Sequence, residues 1–152
     1  MFCGINAVNL DTKGRMAIPA KYRARLQEEV NNQLVVTIDT EDACLLLYPI
    51  TAWKVIEQKI ELLPSFNQVT RRIQRLLIGH ATEVEVDGNG RILLPSLLRD
   101  YAGLDKKIVL IGQGKKFEIW AEDKWTASRT SWLKEGLPKG EQLPEQLLDL
   151  SL

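Results

Sequence analysis

Apolar and polar positions alternate at the start of the chain. INAVNL, over 5–10, reads as a strand; the polar turn DTKG, over 11–14, separates it from a second apolar run, MAIP, over 16–19. The same order returns as TEVEV over 82–86, DGNG over 87–90 and ILLP over 92–95. Alternating runs around an Asp- and Gly-rich turn predict a hairpin in each place, with Gly14 and Gly90 where a positive φ is needed. Pro19 and Pro95 end the second arm and suit the first turn of a short helix. In the first copy Tyr22, Leu26 and Val30 then recur every fourth residue, which gives that helix one apolar face. A second hairpin follows in both copies: LVVTID and CLLLY around TEDA, and IVLIG and FEIW around QGKK, all β-branched or aromatic runs with turn residues between them. Each unit is therefore β-β-α-β-β. Below about 50 residues such a sheet cannot bury enough surface alone, so each copy is expected to need the other.

The two phrases NLDTKGRMAIPAKYR, 9–23, and EVDGNGRILLPSLLR, 85–99, lie 76 positions apart and are identical at Asp11/Asp87, Gly14/Gly90, Arg15/Arg91, Pro19/Pro95 and Arg23/Arg99. Ordinary composition gives roughly one identity by chance over such a stretch. Leu10/Val86, Met16/Ile92 and Ile18/Leu94 exchange one apolar residue for another. The chain is a tandem duplication. The predicted organisation is a first domain over 5–52, a helical linker over 53–80, a second domain over 81–124, and a C-terminal helix and tail over 125–152.

Two helical stretches, ITAWKVIEQKIELL and NQVTRRIQRLLIGH, separated by Pro64-Ser65, form the linker. In the second, Val69, Ile73, Leu76 and Leu77 are read as a core stripe. Arg71, Arg72 and Arg75 fall elsewhere on the surface, either as a solvated face or an ion-pair seam with Glu57 and Glu61, or as a subunit or auxiliary phosphate contact. The end of the chain, with Leu143, Leu147, Leu148 and Leu150, is either an arm that docks on a neighbour or a frayed tail.

The formal charge is zero, with 20 basic and 20 acidic side chains, so no global basic excess marks a nucleic-acid ligand. The distribution changes that picture. Between Leu10 and Leu26 the chain carries Lys13, Arg15, Lys21, Arg23 and Arg25 against Asp11 alone. Positive charge is thus concentrated on the repeated phrase, and a projecting turn would offer Lys13 to phosphate and Arg15 to guanine O6 and N7. Asp11, four residues before Arg15, can hold its guanidinium, and Asp87 and Arg91 repeat that spacing.

Cys3 and Cys44 are too few for a disulfide framework or a metal-ligand set, and both are read as reduced, buried or half-buried thiols. No metal or cofactor is expected. The chain lacks an apolar run of about 18 residues and a secretion leader, so a cytoplasmic protein is expected. His80, the single histidine, has no nucleophile arrangement around it and is read as a capping or packing residue. GQGKK, 112–116, lacks P-loop spacing. These features argue against an enzyme.

The opening MF-x-G-x-x-x-x-x-LD-x-KGR-x-x-IP, the middle RRIQRLLIGHA-x-E and the second D-x-x-GR resemble the MraZ family of bacterial transcriptional regulators, over essentially the whole chain. The resemblance implies an α+β fold: a tandem duplication of an AbrB/SpoVT-like, swapped-hairpin, double-psi-barrel-like domain, packed as an intramolecular pseudo-dimer. It further implies a ring-shaped homo-oligomer, octamer or dodecamer, that binds short repeated boxes in double-stranded promoter DNA. Family members commonly repress their own operon at the head of the division and cell-wall gene cluster. On this basis the DNA-binding residues are Lys13, Arg15, Asn89 and Arg91, with Asp11 and Asp87 as orienting carboxylates and Gly14 and Gly90 as turn glycines. Arg23 and Arg99 are either paired on their helices or in contact with phosphate. The second copy has Gly88, Asn89 and Leu97 where the first has Thr12, Lys13 and Lys21, so the first loop is expected to be the main reader. The rival function is a ring-forming adaptor that does not bind DNA specifically.

Overall fold

Residues 1–136 and 143–150 are described by a computed structural model. The first copy runs through β1 (Phe2–Asn9), β2 (Arg15–Ala17), α1 (Ala20–Val30), β3 (Gln33–Ile38) and β4 (Leu45–Pro49). Three helical pieces follow: α2 (Ile50–Glu61), α3 (Gln68–Ile73) and a π-helical turn over Gln74–Ile78. The second copy repeats the order with β5 (Thr82–Glu85), β6 (Arg91–Leu93), α4 (Ser96–Ala102), β7 (Lys107–Gly114) and β8 (Phe117–Ala121). The chain is an α+β fold with tandem β-β-α-β-β repeats. Each helix of the repeats starts where a proline presets φ, at Pro19 and Pro95. α1 buries the Tyr22, Leu26 and Val30 face its spacing predicts.

The second hairpin of each copy forms as expected, β3 on β4 and β7 on β8, but the first does not. One antiparallel sheet has the order β1-β7-β8-β4-β3-β5, and β2 pairs only with β6. The first strand of each copy therefore lies against the third strand of the other: β1 runs beside β7 from Phe2↔Gly114 to Asn9↔Lys107, and β5 beside β3. Within the first copy the expected β1–β2 hairpin keeps its turn but only a single bridge, Leu10↔Met16. The arms part because β1 gains a full ladder on β7, while Met16 and Ile18 turn inward with no exposed surface. A two-stranded hairpin is marginal in water, and the exchange replaces two of them with one six-stranded sheet.

The core is shared. Phe2, Met16, Ile18, Leu26, Leu34, Leu45 and Leu47 of the first copy join Ile92, Leu94, Leu98, Ile108, Leu110, Phe117 and Ile119 of the second in one apolar cluster. Phe2, Tyr22 and Phe117 form an aromatic triangle across the copies, with ring centroids 4.4 to 5.8 Å apart. The Tyr22 hydroxyl donates to the Cys3 carbonyl and accepts from Asn6, which ties α1 to β1.

The linker departs from its expected pattern. Val69 is 59% exposed, and none of α3 is buried. The π-helical turn inserts a residue into the helical period, so a stripe drawn for a straight α-helix loses register across it. The Leu77 carbonyl in that turn accepts from the buried Thr37 hydroxyl at 2.7 Å. His80 Nδ1 lies 2.7 Å from the Leu76 carbonyl, in the capping role its position suggested. Among the described residues Arg71, Arg72 and Arg75 form no ion pair with Glu57 or Glu61, and Glu57 accepts from the Trp53 indole instead.

Contacts divide the chain into Met1–Glu122 and Asp123–Leu152. The second unit contains nearly all of α5 (Glu122–Glu135), where Trp125 and Trp132 meet edge to face, and α6 (Glu145–Leu148), which begins after Pro144. The tail readings concern in part residues 137–142 and 151–152, which lie outside the described residues. Among the described residues no helix is long and apolar enough to cross a membrane.

Candidate nucleic-acid interface

Each Asp-x-x-x-Arg loop is built by its aspartate. Asp11 Oδ1 accepts from the backbone N–H of Lys13 at 2.9 Å and of Arg15 at 2.8 Å. Its own N–H donates to the Arg15 carbonyl, and its carbonyl accepts from Gly14. Asp87 repeats the arrangement, taking the N–H of Asn89 at 2.8 Å and of Arg91 at 3.0 Å. Gly14 and Gly90 take φ of 88° and 74°, the left-handed region that glycine enters without a Cβ penalty. A short acceptor, two residues of any type and a glycine are what this turn requires.

The aspartates do more for the backbone than for the guanidinium groups. Arg15 Nε stands 3.8 Å from Asp11 Oδ2, and Arg91 Nε 4.0 Å from Asp87 Oδ2, beyond hydrogen-bond range. Arg91 Nη1 also lies 3.7 Å from Asp11 Oδ2, so it faces the carboxylates of both loops. Its Nε is buried with no hydrogen-bond partner. The side chains of Arg15 and Arg91 are 31% and 33% exposed, and Lys13 and Asn89 are open to solvent at the loop tips. Backbone N–H groups, that of Arg15 first, hold the Asp11 carboxyl below its ordinary pKa; that of Arg91 does the same for Asp87, and both arginines add to each effect.

The β2–β6 pairing links the two loops through one short ladder. In the antiparallel β2–β6 ladder Arg15 stands opposite Leu93 and Ala17 opposite Arg91, so Arg15 and Arg91 are diagonal neighbours on one face and the two loops enter from opposite ends of the short ladder. Two further bonds lace them: Ile18 N–H donates to the Gly90 carbonyl and Leu94 N–H to the Gly14 carbonyl. Eight of the ten residues singled out in the sequence, Asp11, Lys13, Gly14, Arg15, Asp87, Asn89, Gly90 and Arg91, therefore lie in the two turns and at the strand starts that follow them, one group at each end of the short ladder. The other two, Arg23 and Arg99, start from the helices. Neither forms an ion pair on its helix among the described residues: Arg23 Nε donates to the Ile18 carbonyl at 2.6 Å and Arg99 Nε to the Leu94 carbonyl at 3.0 Å.

One cluster went unforeseen. Asp39, Cys44 and Glu118 bring potential ligand atoms within 4.8 Å of one another, with Glu118 from the second copy placed beside β4 by the Leu46↔Glu118 pair. Burial, and after it the Glu118 and Asp39 charges, pushes the Cys44 thiol up, so it is a protonated thiol at neutral pH. The CLLLY run signals that burial, but nothing local places Glu118 there. Cys3, expected to be buried or half-buried, is exposed on β1.

Comparison with known proteins adds a family. The model described as "MraZ protein, putative antitoxin-like" matches residues 1–76 and 77–138, one match for each copy. The chain is 57% identical over 152 residues, all of both chains, to the transcriptional regulator MraZ of Coxiella burnetii strain Dugway 5J108-111. It is 57% identical over the same span to that of Legionella pneumophila strain Corby, and 55% identical to that of Saccharophagus degradans.

Proposed function

The chain belongs to the MraZ family of transcriptional regulators, and from that premise we propose that it binds promoter DNA through its two Asp-x-x-x-Arg loops and represses its own operon. The observation that carries this reading is the pairing of β2 with β6, which sets Arg15 and Arg91 diagonally on one face of the ladder, with Arg91 reaching the Asp11 carboxylate as well as its own. An arginine backed by fixed carboxylates loses less freedom on docking, and its outer N–H groups can read guanine while Lys13 and Asn89 meet phosphate or sugar. Asp11 and Asp87 hold the turns, and Gly14 and Gly90 let them close.

The reading includes a cytoplasmic, nucleoid-associated ring of eight or twelve copies, on short repeated boxes ahead of a division and cell-wall gene cluster. A neutral subunit suits such a ring, because each docked loop raises the effective concentration of the next. The fold reading that goes with it is an intramolecular pseudo-dimer of swapped-hairpin, double-psi-barrel-like domains over 5–52 and 81–124, joined by the 53–80 linker.

The test titrates the protein against the DNA upstream of its own coding region and against a scrambled duplex of equal length, at several salt concentrations, beside Arg15→Ala. Box-dependent binding lost in a folded, still oligomeric variant is expected. Equal binding to both duplexes, or none, would replace this function with that of a ring-forming adaptor.

A further inference from the structure

Gly14 and Gly90 are buried although they sit in solvent-facing turns, and what covers them comes from the opposite copy. A Cβ built on Gly14 would lie 2.6 Å from Arg99 Cζ and 2.7 Å from its Nε; one built on Gly90 would lie 2.5 Å from both Cζ and Nε of Arg23. Each guanidinium therefore lies flat against the Cα of the other copy's turn. Its Nε is anchored to the carbonyl just past the end of the strand that follows its own copy's turn, at Ile18 for Arg23 and Leu94 for Arg99. These anchor residues are the ones whose N–H groups reach across: Ile18 N–H donates to the Gly90 carbonyl, and Leu94 N–H to the Gly14 carbonyl, at 2.8 and 2.9 Å.

Two closed, crossed arrangements result. Arg99, Leu94 and Gly14 make one, and Arg23, Ile18 and Gly90 the other. The same geometry arises twice from copies whose intervening residues differ, with Lys21 and Tyr22 before one arginine and Leu97 and Leu98 before the other. A planar guanidinium with a fixed Nε–H suits this double duty of stacking and donating; a lysine ammonium on a flexible stem does not.

We propose that Arg23 and Arg99 are crossed positioning residues, Arg99 holding the first reading loop and Arg23 the second, each from the opposite copy. The inference rests on the reading of these loops as the DNA-contacting surface. It gives Arg23 and Arg99 a role besides the direct phosphate contact with which their charge alone would class them, because Nε is bonded inside the protein and only the Nη groups are left for DNA. It also gives both glycines a second reason to be glycine: the turn needs the positive φ, and the opposite arginine needs the space.

The experiment uses the full chain with Arg99→Lys and Arg23→Lys, which keep the charge, and Arg99→Gln, which removes it, each checked for fold by circular dichroism and for assembly by sizing. Hydrogen exchange on free protein comes first. Arg99→Lys is expected to speed exchange of the Lys13, Arg15 and Leu94 amides at least about tenfold and to leave those of Asn89, Arg91 and Ile18 unchanged; Arg23→Lys should do the reverse. Uniform change across the fold, or none, would overturn the proposal whether or not the protein binds DNA. The DNA arm adds a crossed pattern. Arg99→Lys should weaken box binding about tenfold in the wild-type and Arg91→Ala backgrounds and have no further effect once Arg15 is alanine; Arg23→Lys should depend on Arg91 in the same way. If Arg99→Lys binds as wild type while Arg99→Gln weakens boxed and scrambled DNA equally and lowers the salt slope by about one, Arg99 is a phosphate contact and the proposal fails. If wild type shows no box preference, the function proposed above falls, and the exchange result still decides the positioning role.

Discussion

The two Asp-x-x-x-Arg loops share a backbone and differ in what they display. Both close with the same aspartate bonds to the second and fourth N–H groups, within 0.2 Å of each other, and both place glycine at positive φ. The first shows Thr12 and Lys13 at its tip, the second Gly88 and Asn89. Electrostatically they are not independent: Arg91 faces both carboxylates, whereas Arg15 is within ion-pair distance of its own alone. The lesson is that the turn's geometry depends on two residue types, Asp and Gly, while the tip is free to vary. A duplicated loop can thus change its charge without changing its shape.

The largest expected effect would erase the difference between the loops by removing what they share. Met16 and Ile92 stand opposite each other in the β2–β6 ladder, both essentially unexposed. Met16→Ala or Ile92→Ala should each cost about 2–5 kcal/mol, by denaturant titration, and loosen both loops whichever copy carries the change. A smaller effect separates the turns. Gly14→Ala and Gly90→Ala should each cost about 1–2 kcal/mol from backbone strain alone, with added loss from the displaced arginine, in the same assay.

Charge at the tip sharpens the comparison further. Asn89→Lys should steepen the salt dependence of DNA binding by roughly 0.9 on a log–log plot, and Lys13→Asn should flatten it by a similar amount, if both tips approach phosphate. A change for Lys13 alone would make the first loop the sole phosphate reader. The smallest effect is in titration. Both carboxyls ionise below their ordinary range, so their contribution to the turns is fully present at neutral pH and is lost only as the pH falls through the depressed values. Carboxyl NMR should show Arg91→Gln raising Asp11 and Asp87 together, and Arg15→Gln raising mainly Asp11.

Much of this was legible in one dimension. Alternating apolar runs, proline before each helix and glycine in each turn are local signals, because strand pleat, preset φ and left-handed φ each act within a few residues. The element order, the helix face of Tyr22, Leu26 and Val30, and the duplicated loops follow from them. The π-helical turn was not legible, nor the exposure of Val69: the Leu77 carbonyl in that turn meets Thr37, 40 positions away.

What the sequence alone determined is the content of each unit, down to the residues that close the turns. Only the tertiary structure decided where those units meet. Strand partners are chosen by how much surface and how many backbone groups a pairing satisfies, and a chain of two equivalent copies can satisfy them by exchange as well as within each copy. The exchange places β1 on β7 and β5 on β3, sets the two turns at the ends of one short ladder, and lays each helix arginine on the glycine of the other copy.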